Sequence, residues 1–361
     1  HGDMDDWPFR NGEGRFEAVA WLDAPVIDYM DGWPVVRAGD VTARFVGASM
    51  DIRGTVTDTG GVGVDDVAAG IADLKMPKLD ILYRSRTDLP GLLGFLQATP
   101  LNEQINVDLS EFEFSGPADV RGRIVVPLGE TEGELSVDGT VQLDGARFHD
   151  PARGFSIDAI VGELAYNERG FAGSGLDATT LEEPVSLALM ADADRVEKFR
   201  AEISGRFDAQ RLLLEEGLLD SLQLLKNIDG RSEWLASLVV APDGASGANK
   251  TTFSMASALE GVAIDLPAPF NKSADESWPF RMDMPLQQGG ETLDIVFEGR
   301  ATLRLDLAGE QAAPRRILMS LGDSTGGEMP PEGLMRIEGR ASLMDLDGWI
   351  AQRTEEIGQG T

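Results

Sequence analysis

Cysteine is absent from the chain, which excludes disulfides, thiolate catalysis and cysteine-ligated metals. Histidine is almost absent: His1 and His149 are the only imidazoles, leaving one internal candidate for a general base near neutral pH. No run approaches the roughly 18–20 apolar residues of a membrane-spanning helix. The opening, His1 to Arg10, also lacks the basic-then-apolar order of a signal peptide. The expectation is a soluble piece cut from a longer protein, with any targeting segment outside it. Positive charge is scarce as well, since 31 Lys and Arg face 62 Asp and Glu for a formal net charge of −31. That surplus repels phosphate backbones and anionic bilayer surfaces, and it argues against nucleic acid as a partner.

Motifs for catalysis and cofactors are equally sparse. Neither a G-x-x-x-x-G-K-S/T loop nor a dinucleotide fingerprint in a βαβ setting occurs. Gly322-Asp323-Ser324-Thr325-Gly326 has the spacing of a nucleophile elbow, but Gly327, Pro330 and Pro331 follow where that chemistry needs a helix. Its base would have to be His149, which lies in Phe148-His149-Asp150-Pro151 and is expected as an exposed turn residue. Asp192/Asp194 and Asp345/Asp347/Gly348 echo part of a calcium loop without its distal glutamate, so solvated turns are expected there. Among 62 carboxylates chance pairs are unavoidable, and none is singled out for glycoside hydrolysis. The sequence predicts no enzyme, no metal and no cofactor.

What the chain does contain is alternation. Leu293, Ile295, Phe297, Gly299, Ala301, Leu303, Leu305 and Leu307 hold one phase, while Asp294, Glu298, Arg300, Thr302, Arg304 and Asp306 hold the other, as in a half-buried strand. The same phasing recurs in Met50/Ile52/Gly54/Val56, Phe112/Phe114/Gly116, Val120/Gly122/Ile124/Val126, Leu135/Val137/Gly139/Val141/Leu143, Ala201/Ile203/Gly205/Phe207 and Met335/Ile337/Gly339/Ala341/Leu343. Glycine weakens a strand interior, so its repeated use in the apolar phase implies a crowded or sharply curved side. Gly54, Gly122, Gly139, Gly205, Gly299 and Gly339 are therefore expected on the concave side of a curling sheet.

Helix signals are few. A short helix is expected over Pro90 to Gln97 and a helical insert over about 209–228, capped by Asp208 and packing its leucines on a sheet. Trp7-Pro8-Phe9-Arg10 returns as Trp278-Pro279-Phe280-Arg281, an irregular echo that suits a sheet grown by hairpins better than a fixed-period solenoid. No composition break divides the chain, and residues 1–361 are expected to form one elongated unit. Two architectures fit the alternation. One is a sandwich whose apolar phases face a second sheet, as in an envelope scaffold or adhesin module; the other is a groove wall. On the residues alone the sandwich is favoured.

Several segments, taken in order, resemble the YhdP-type members of the AsmA-like family. They are Tyr29-Met30-Asp31-Gly32-Trp33-Pro34, the strand Ala43 to Met50, Gly91-Leu92-Leu93-Gly94-Phe95-Leu96 before Pro100-Leu101, Ile124-Val125-Val126-Pro127-Leu128 and Leu266-Pro267-Ala268-Pro269-Phe270-Asn271-Lys272. The resemblance runs from about Phe9 to Trp349. It implies a mainly β fold, a long, strongly curved antiparallel sheet forming a U-shaped, taco-like apolar groove with one or two short accessory helices. It also implies a non-catalytic function: phospholipid transport between inner and outer membranes of a bacterial envelope. The location would be periplasmic and the full-length protein anchored in the inner membrane. The implied partners are phospholipid acyl chains and, through parts outside this chain, the two membranes. A two-chain lipid would expose on the order of 30 methylenes to water, about 25 kcal/mol, so the track must be continuous. On this reading the groove lining is expected from Ile52, Val56, Phe114, Ile124, Val126, Leu135, Val137, Val141, Leu143, Ile203, Phe207, Ile295, Phe297, Leu303, Leu305, Ile337 and Leu343.

Overall fold

Alternating segments become strands here because β-branched and aromatic side chains take one face of the pleat while charged residues take the other. The computed structural model describes residues 2, 3, 5, 7–28, 32–100, 112–129, 131–152, 154–215, 227–242, 249–286, 291–307, 314–322 and 327–351. Among them 21 strands belong to one sheet, and helix is confined to short pieces. The chain divides into two compact units, residues 1–182 with 188–195 and residues 183–187 with 196–361.

In the first unit β1 (Glu17–Leu22) and β2 (Val26–Ile27) both pair with β3 (Val36–Val46). From β3 the antiparallel ladder continues through β4 (Ser49–Thr59), β5 (Val62–Ile71) and β6 (Lys78–Asp88). After β6 the chain forms α1 (Leu89–Gln97) where the sequence predicts a helix. Asp88 caps it by accepting from the Gly91 N–H at 2.8 Å, and Pro90 suits its first turn. The short β7 (Glu113–Ser115) and the longer β8 (Pro117–Pro127) both pair with β9 (Ser136–Asp150), and β8 also pairs with β6. The unit continues through β10 (Phe155–Asn167) to β11 (Gly170–Thr180).

β12 (Glu183–Asp192) has residues in each unit. In the second unit β13 (Phe199–Asp208) pairs with β14 (Ile228–Pro242), whose two ends take β15 (Asn249–Ser257) and β16 (Val262–Ile264). β15 pairs with β17 (Phe280–Leu286), followed by β18 (Glu291–Phe297), β19 (Ala301–Leu307) and β20 (Pro314–Leu321). β21 (Met335–Gly339) joins β20 in parallel, a departure from the all-antiparallel expectation. Parallel pairing needs the chain to return to its starting end, and the long connection 322–334 leaves room that a tight turn would not.

Several sequence expectations are corrected. The run Leu293 to Leu307 is a hairpin, not one strand: β18 turns at Glu298-Gly299-Arg300 and Phe297 faces Ala301. Gly299 has φ +68°, the left-handed region that favours glycine. Because the loop has an odd number of residues, odd-numbered positions on both strands share a face, and the alternation passes through the turn unbroken. Gly116 sits at φ +108° between β7 and β8, and Gly339 at φ +109° ends β21, so no strand continues through Ala341 and Leu343. The two Trp-Pro-Phe-Arg echoes do not share a local structure, since Phe9 lies in a turn at φ +63° whereas Phe280 opens β17. His149 is not an exposed turn residue but a half-buried member of β9, with Nδ1 2.9 Å from Ser156 Oγ.

Asp208 does cap a helical start, accepting from the Arg211 N–H at 2.9 Å, and residues 209–215 are helical. Residues 216–226 of the expected insert lie outside the described residues. So do Tyr29-Met30-Asp31, Leu101, residues 243–248, Gly289-Gly290 and residues 323–326 of the serine motif.

Candidate functional site

Alternation along one strand makes a surface only when neighbouring strands align their apolar phases, and the register does so in both units. In the first unit Ala20, Ala43, Ile52, Ala69, Ile81, Ile124 and Val137 are successive cross-strand partners, a row crossing β1, β3, β4, β5, β6, β8 and β9. A second row beside it contains Ala18, Phe45, Met50, Ile71, Leu79 and Val126. Ile52, Ile81, Ile124, Val126 and Val137 are half-buried although their strands are flanked on both sides. The described strands all belong to one sheet.

The second unit has a comparable face. Ile203, Ala236, Met255, Met282, Ile295, Leu303, Met319 and Ile337 form one row across β13, β14, β15, β17, β18, β19, β20 and β21. Here the centre is covered: Met255, Met282, Ile295 and Met319 are buried, and only Ile337 on β21 is exposed. The next row mixes large and small residues, from Gly205 through Trp234, Ser257, Phe280, Phe297, Ala301 and Leu321 to Gly339. Trp234 and Phe280 meet edge to face with ring centroids 5.5 Å apart, and Phe280 and Phe297 at 5.4 Å.

Of the other expected lining residues, Val56 is half-buried beside a bulge in β4, and Phe114 packs on Phe148 with centroids 5.5 Å apart. Val141, Leu143, Phe207 and Leu305 are buried. Leu135 is exposed just before β9, and Leu343 lies in no strand with two-thirds of its surface in water.

Crowding explains the glycines inside the strands. A β-carbon on Gly54 would stand 2.8 Å from the Asp40 carbonyl oxygen and 2.9 Å from Val41 Cγ2; on Gly205 it would stand 2.8 Å from Val185 Cγ1. Gly122 and Gly139 are partners of one another and sit between Tyr83 on β6 and Tyr166 on β10. The two phenols reach across these glycines, and their hydroxyl oxygens meet at 2.5 Å. Tyr166 Oη also donates to the Arg121 carbonyl at 3.2 Å. Burial pushes both phenols above their ordinary pKa, so both stay protonated.

The opposite face carries the charge. Arg123–Asp80 at 2.7 Å and Arg84–Asp119 at 2.8 Å bridge β6 and β8, and Arg304–Asp294 at 2.7 Å bridges β18 and β19. Hydrogen bonds from Arg123 and Arg84 hold the Asp80 and Asp119 carboxyls below the usual carboxylate range. Among the described residues no group of three or more His, Asp or Glu could hold a metal ion. Asp192 and Asp345 instead order their own turns, accepting from the Asp194 and Gly348 N–H groups at 2.9 Å each. A surface pocket of about 700 Å³ is lined by Leu93, Phe112, Phe114, Arg147 and His149. Its two basic side chains are already engaged, Arg147 with Asp158 at 2.9 Å and His149 with Ser156.

Sequence reasoning missed Tyr83, Tyr166, Trp234, Met255, Met282 and Met319. Alternation in Trp234/Ala236/Leu238/Val240 carried a signal for one of these strands, but without a glycine in its apolar phase. The tyrosines had no local signal, because what places them is the pairing of four strands.

The family model described as YhdP protein matches residues 1–361. The intermembrane phospholipid transporter YhdP of Escherichia coli (strain K12) is 20% identical over 273 residues, covering 75% of this chain and 21% of that protein. The chain thus spans about a fifth of that relative's length. No solved structure matches. Among the described residues no helix is long and apolar enough to cross a membrane.

Proposed function

The chain belongs to the YhdP family, and from that premise we propose that it is a section of a phospholipid carrier between two membranes of a bacterial envelope, its apolar rows shielding acyl chains from water. Its E. coli relative bears the name of an intermembrane phospholipid transporter. The observation that carries the reading is the set of large side chains Ile52, Ile81, Ile124 and Val137, which stay half-buried in the interior of a multi-strand ladder. A packed sandwich would bury them, whereas a face that meets mobile acyl chains leaves them accessible.

The mechanism is passive. Each methylene removed from water contributes about 0.8 kcal/mol wherever it lies along an apolar row, so a sliding chain keeps its stabilisation as it moves. No covalent step, metal or cofactor takes part. The half-buried rows of the first unit serve as a stretch of lane in the full protein, which lies in the periplasm and reaches both membranes through parts beyond this chain. The charged face keeps the outside of the lane in water and repels anionic head groups from the wall.

The test is lipid extraction from the purified chain followed by mass spectrometry, with a urea-unfolded sample as the blank. Phospholipid in clear excess over the blank is expected. A lipid-free chain that also takes up no labelled phospholipid from vesicles would return the sheet to the scaffold reading.

A further inference from the structure

The row Tyr83, Gly122, Gly139, Tyr166 crosses the apolar face of the first unit between rows of shorter side chains, Ile81/Ile124/Val137 on one side and Ser85/Val120/Val141 on the other. Upright phenols would be the tallest groups on this part of the face. They do not stand upright. A β-carbon on Gly122 would fall on Tyr166 Oη and lie 2.7 Å from Tyr83 Oη and 2.8 Å from its Cζ, its three nearest neighbours all being phenol atoms, while one on Gly139 would fall on both the Tyr166 phenol and the Arg121 carbonyl oxygen. Both rings therefore lie along the sheet over bare backbone, adding about one van der Waals layer of 3.5–4 Å. The hydroxyl pair and the bond to the Arg121 carbonyl tether them there.

We propose that these four residues set the clearance of the lipid lane: the glycines let the tyrosines lie flat, and flat tyrosines let a two-chain amphiphile pass. The inference rests on the lipid-carrying reading and adds to it a determinant of which lipids fit. A methyl group at Gly122 has no room beneath the two rings, so the phenols must lift off the sheet into the lane. A single acyl chain can pass beside a lifted ring, but two chains side by side meet it.

The experiment uses the full chain, residues 1–361, with two fluorescent probes, a single-chain lysophosphatidylcholine and a two-chain phosphatidylcholine. Gly122→Ala should weaken two-chain binding about tenfold while single-chain binding changes less than about twofold, and adding Tyr83→Ala with Tyr166→Ala should restore the two-chain probe. If circular dichroism finds Gly122→Ala unfolded, the pair Tyr83→Phe with Tyr166→Phe takes its place. It leaves the backbone alone, releases the tether and should weaken two-chain binding about threefold. Wild-type affinity of Gly122→Ala for the two-chain probe overturns the proposal, and so does failure of Tyr83→Ala with Tyr166→Ala to restore it. For the Phe pair, unchanged two-chain binding overturns it. Should the wild-type chain bind neither probe, the lipid-carrying reading itself fails, an outcome distinct from loss of the clearance rule alone.

Discussion

A carboxylate placed in the apolar row of each unit separates a lane from a packed core. Ile124 is half-buried on β8 between Ile81 and Val137. Full burial of an isoleucine contributes about 1.5–3 kcal/mol, so half of that, together with up to about 1 kcal/mol of strand preference, puts the folding cost of Ile124→Asp near 2 kcal/mol. Met282 is 1% exposed in the corresponding row of the second unit. There Met282→Asp forfeits about 2–5 kcal/mol of packing and also buries a carboxylate, which together approach the whole stability of an ordinary domain. Lipid responds in the opposite sense. In Ile124→Asp an acyl chain laid over the new carboxylate must strip water from a charge, and a penalty of about 3 kcal/mol weakens lipid binding more than about 100-fold. Urea unfolding followed by far-ultraviolet circular dichroism gives the first quantity, and mass spectrometry of extracted lipid the second. Ile124→Asp should fold and lose lipid while Met282→Asp fails to fold. If Ile124→Asp is as destabilising as Met282→Asp, or keeps its lipid, the half-buried face is not a lipid surface.

Three further outcomes follow from the geometry. Gly299→Ala should cost about 1 kcal/mol in thermal unfolding because φ +68° suits no β-carbon, and Gly299→Asn should recover part of it. In a spectrophotometric titration, Tyr83 and Tyr166 should resist ionisation at about pH 10, the ordinary phenol value. With folded pKa values above unfolded ones, their contribution to stability is whole below about pH 10 and is lost as pH rises through the folded values, a loss that Tyr83→Phe with Tyr166→Phe should remove. Arg84→Met breaks an exposed pair with Asp119 and should lower thermal stability only slightly, and less still at about 1 M salt. Since Arg84 lowers the Asp119 pKa, the difference between wild type and Arg84→Met should vanish as pH falls through the folded Asp119 value.

Strand content was legible because period-two alternation is local, and so was α1, whose Asp88 cap and Pro90 sit within one turn. Turn position was less legible. The odd loop at 298–300 leaves the phase of Leu293 to Leu307 unbroken, so two strands resemble one. The ends at Gly116 and Gly339 look like strand interiors in the sequence for a related reason: an apolar phase says nothing about φ, and both glycines have left the extended region. Of the expected lining, Ile52, Ile124 and Val137 fall in one register row, and Ile203, Ile295, Leu303 and Ile337 in another. Local alternation placed these residues in apolar phases, but it could not align one strand with the next. The pairing that unites Tyr83 with Tyr166 over 83 residues of chain is invisible to any window of a few residues.

The tyrosine and glycine row also constrains how descendants of this sequence can change. At Gly122 and Gly139 any larger residue collides with a phenol, but at Gly122 the nearest atoms all belong to Tyr83 and Tyr166 and leave when both are exchanged for small side chains, whereas at Gly139 the Arg121 carbonyl oxygen remains. Mutational order therefore matters, because tyrosine must be lost before glycine can drift. Lineages that keep both phenols should keep both glycines, and lineages with alanine or serine in place of Gly122 should already have lost the aromatic rings of Tyr83 and Tyr166. The row would behave in evolution as a four-position epistatic lock with one exit.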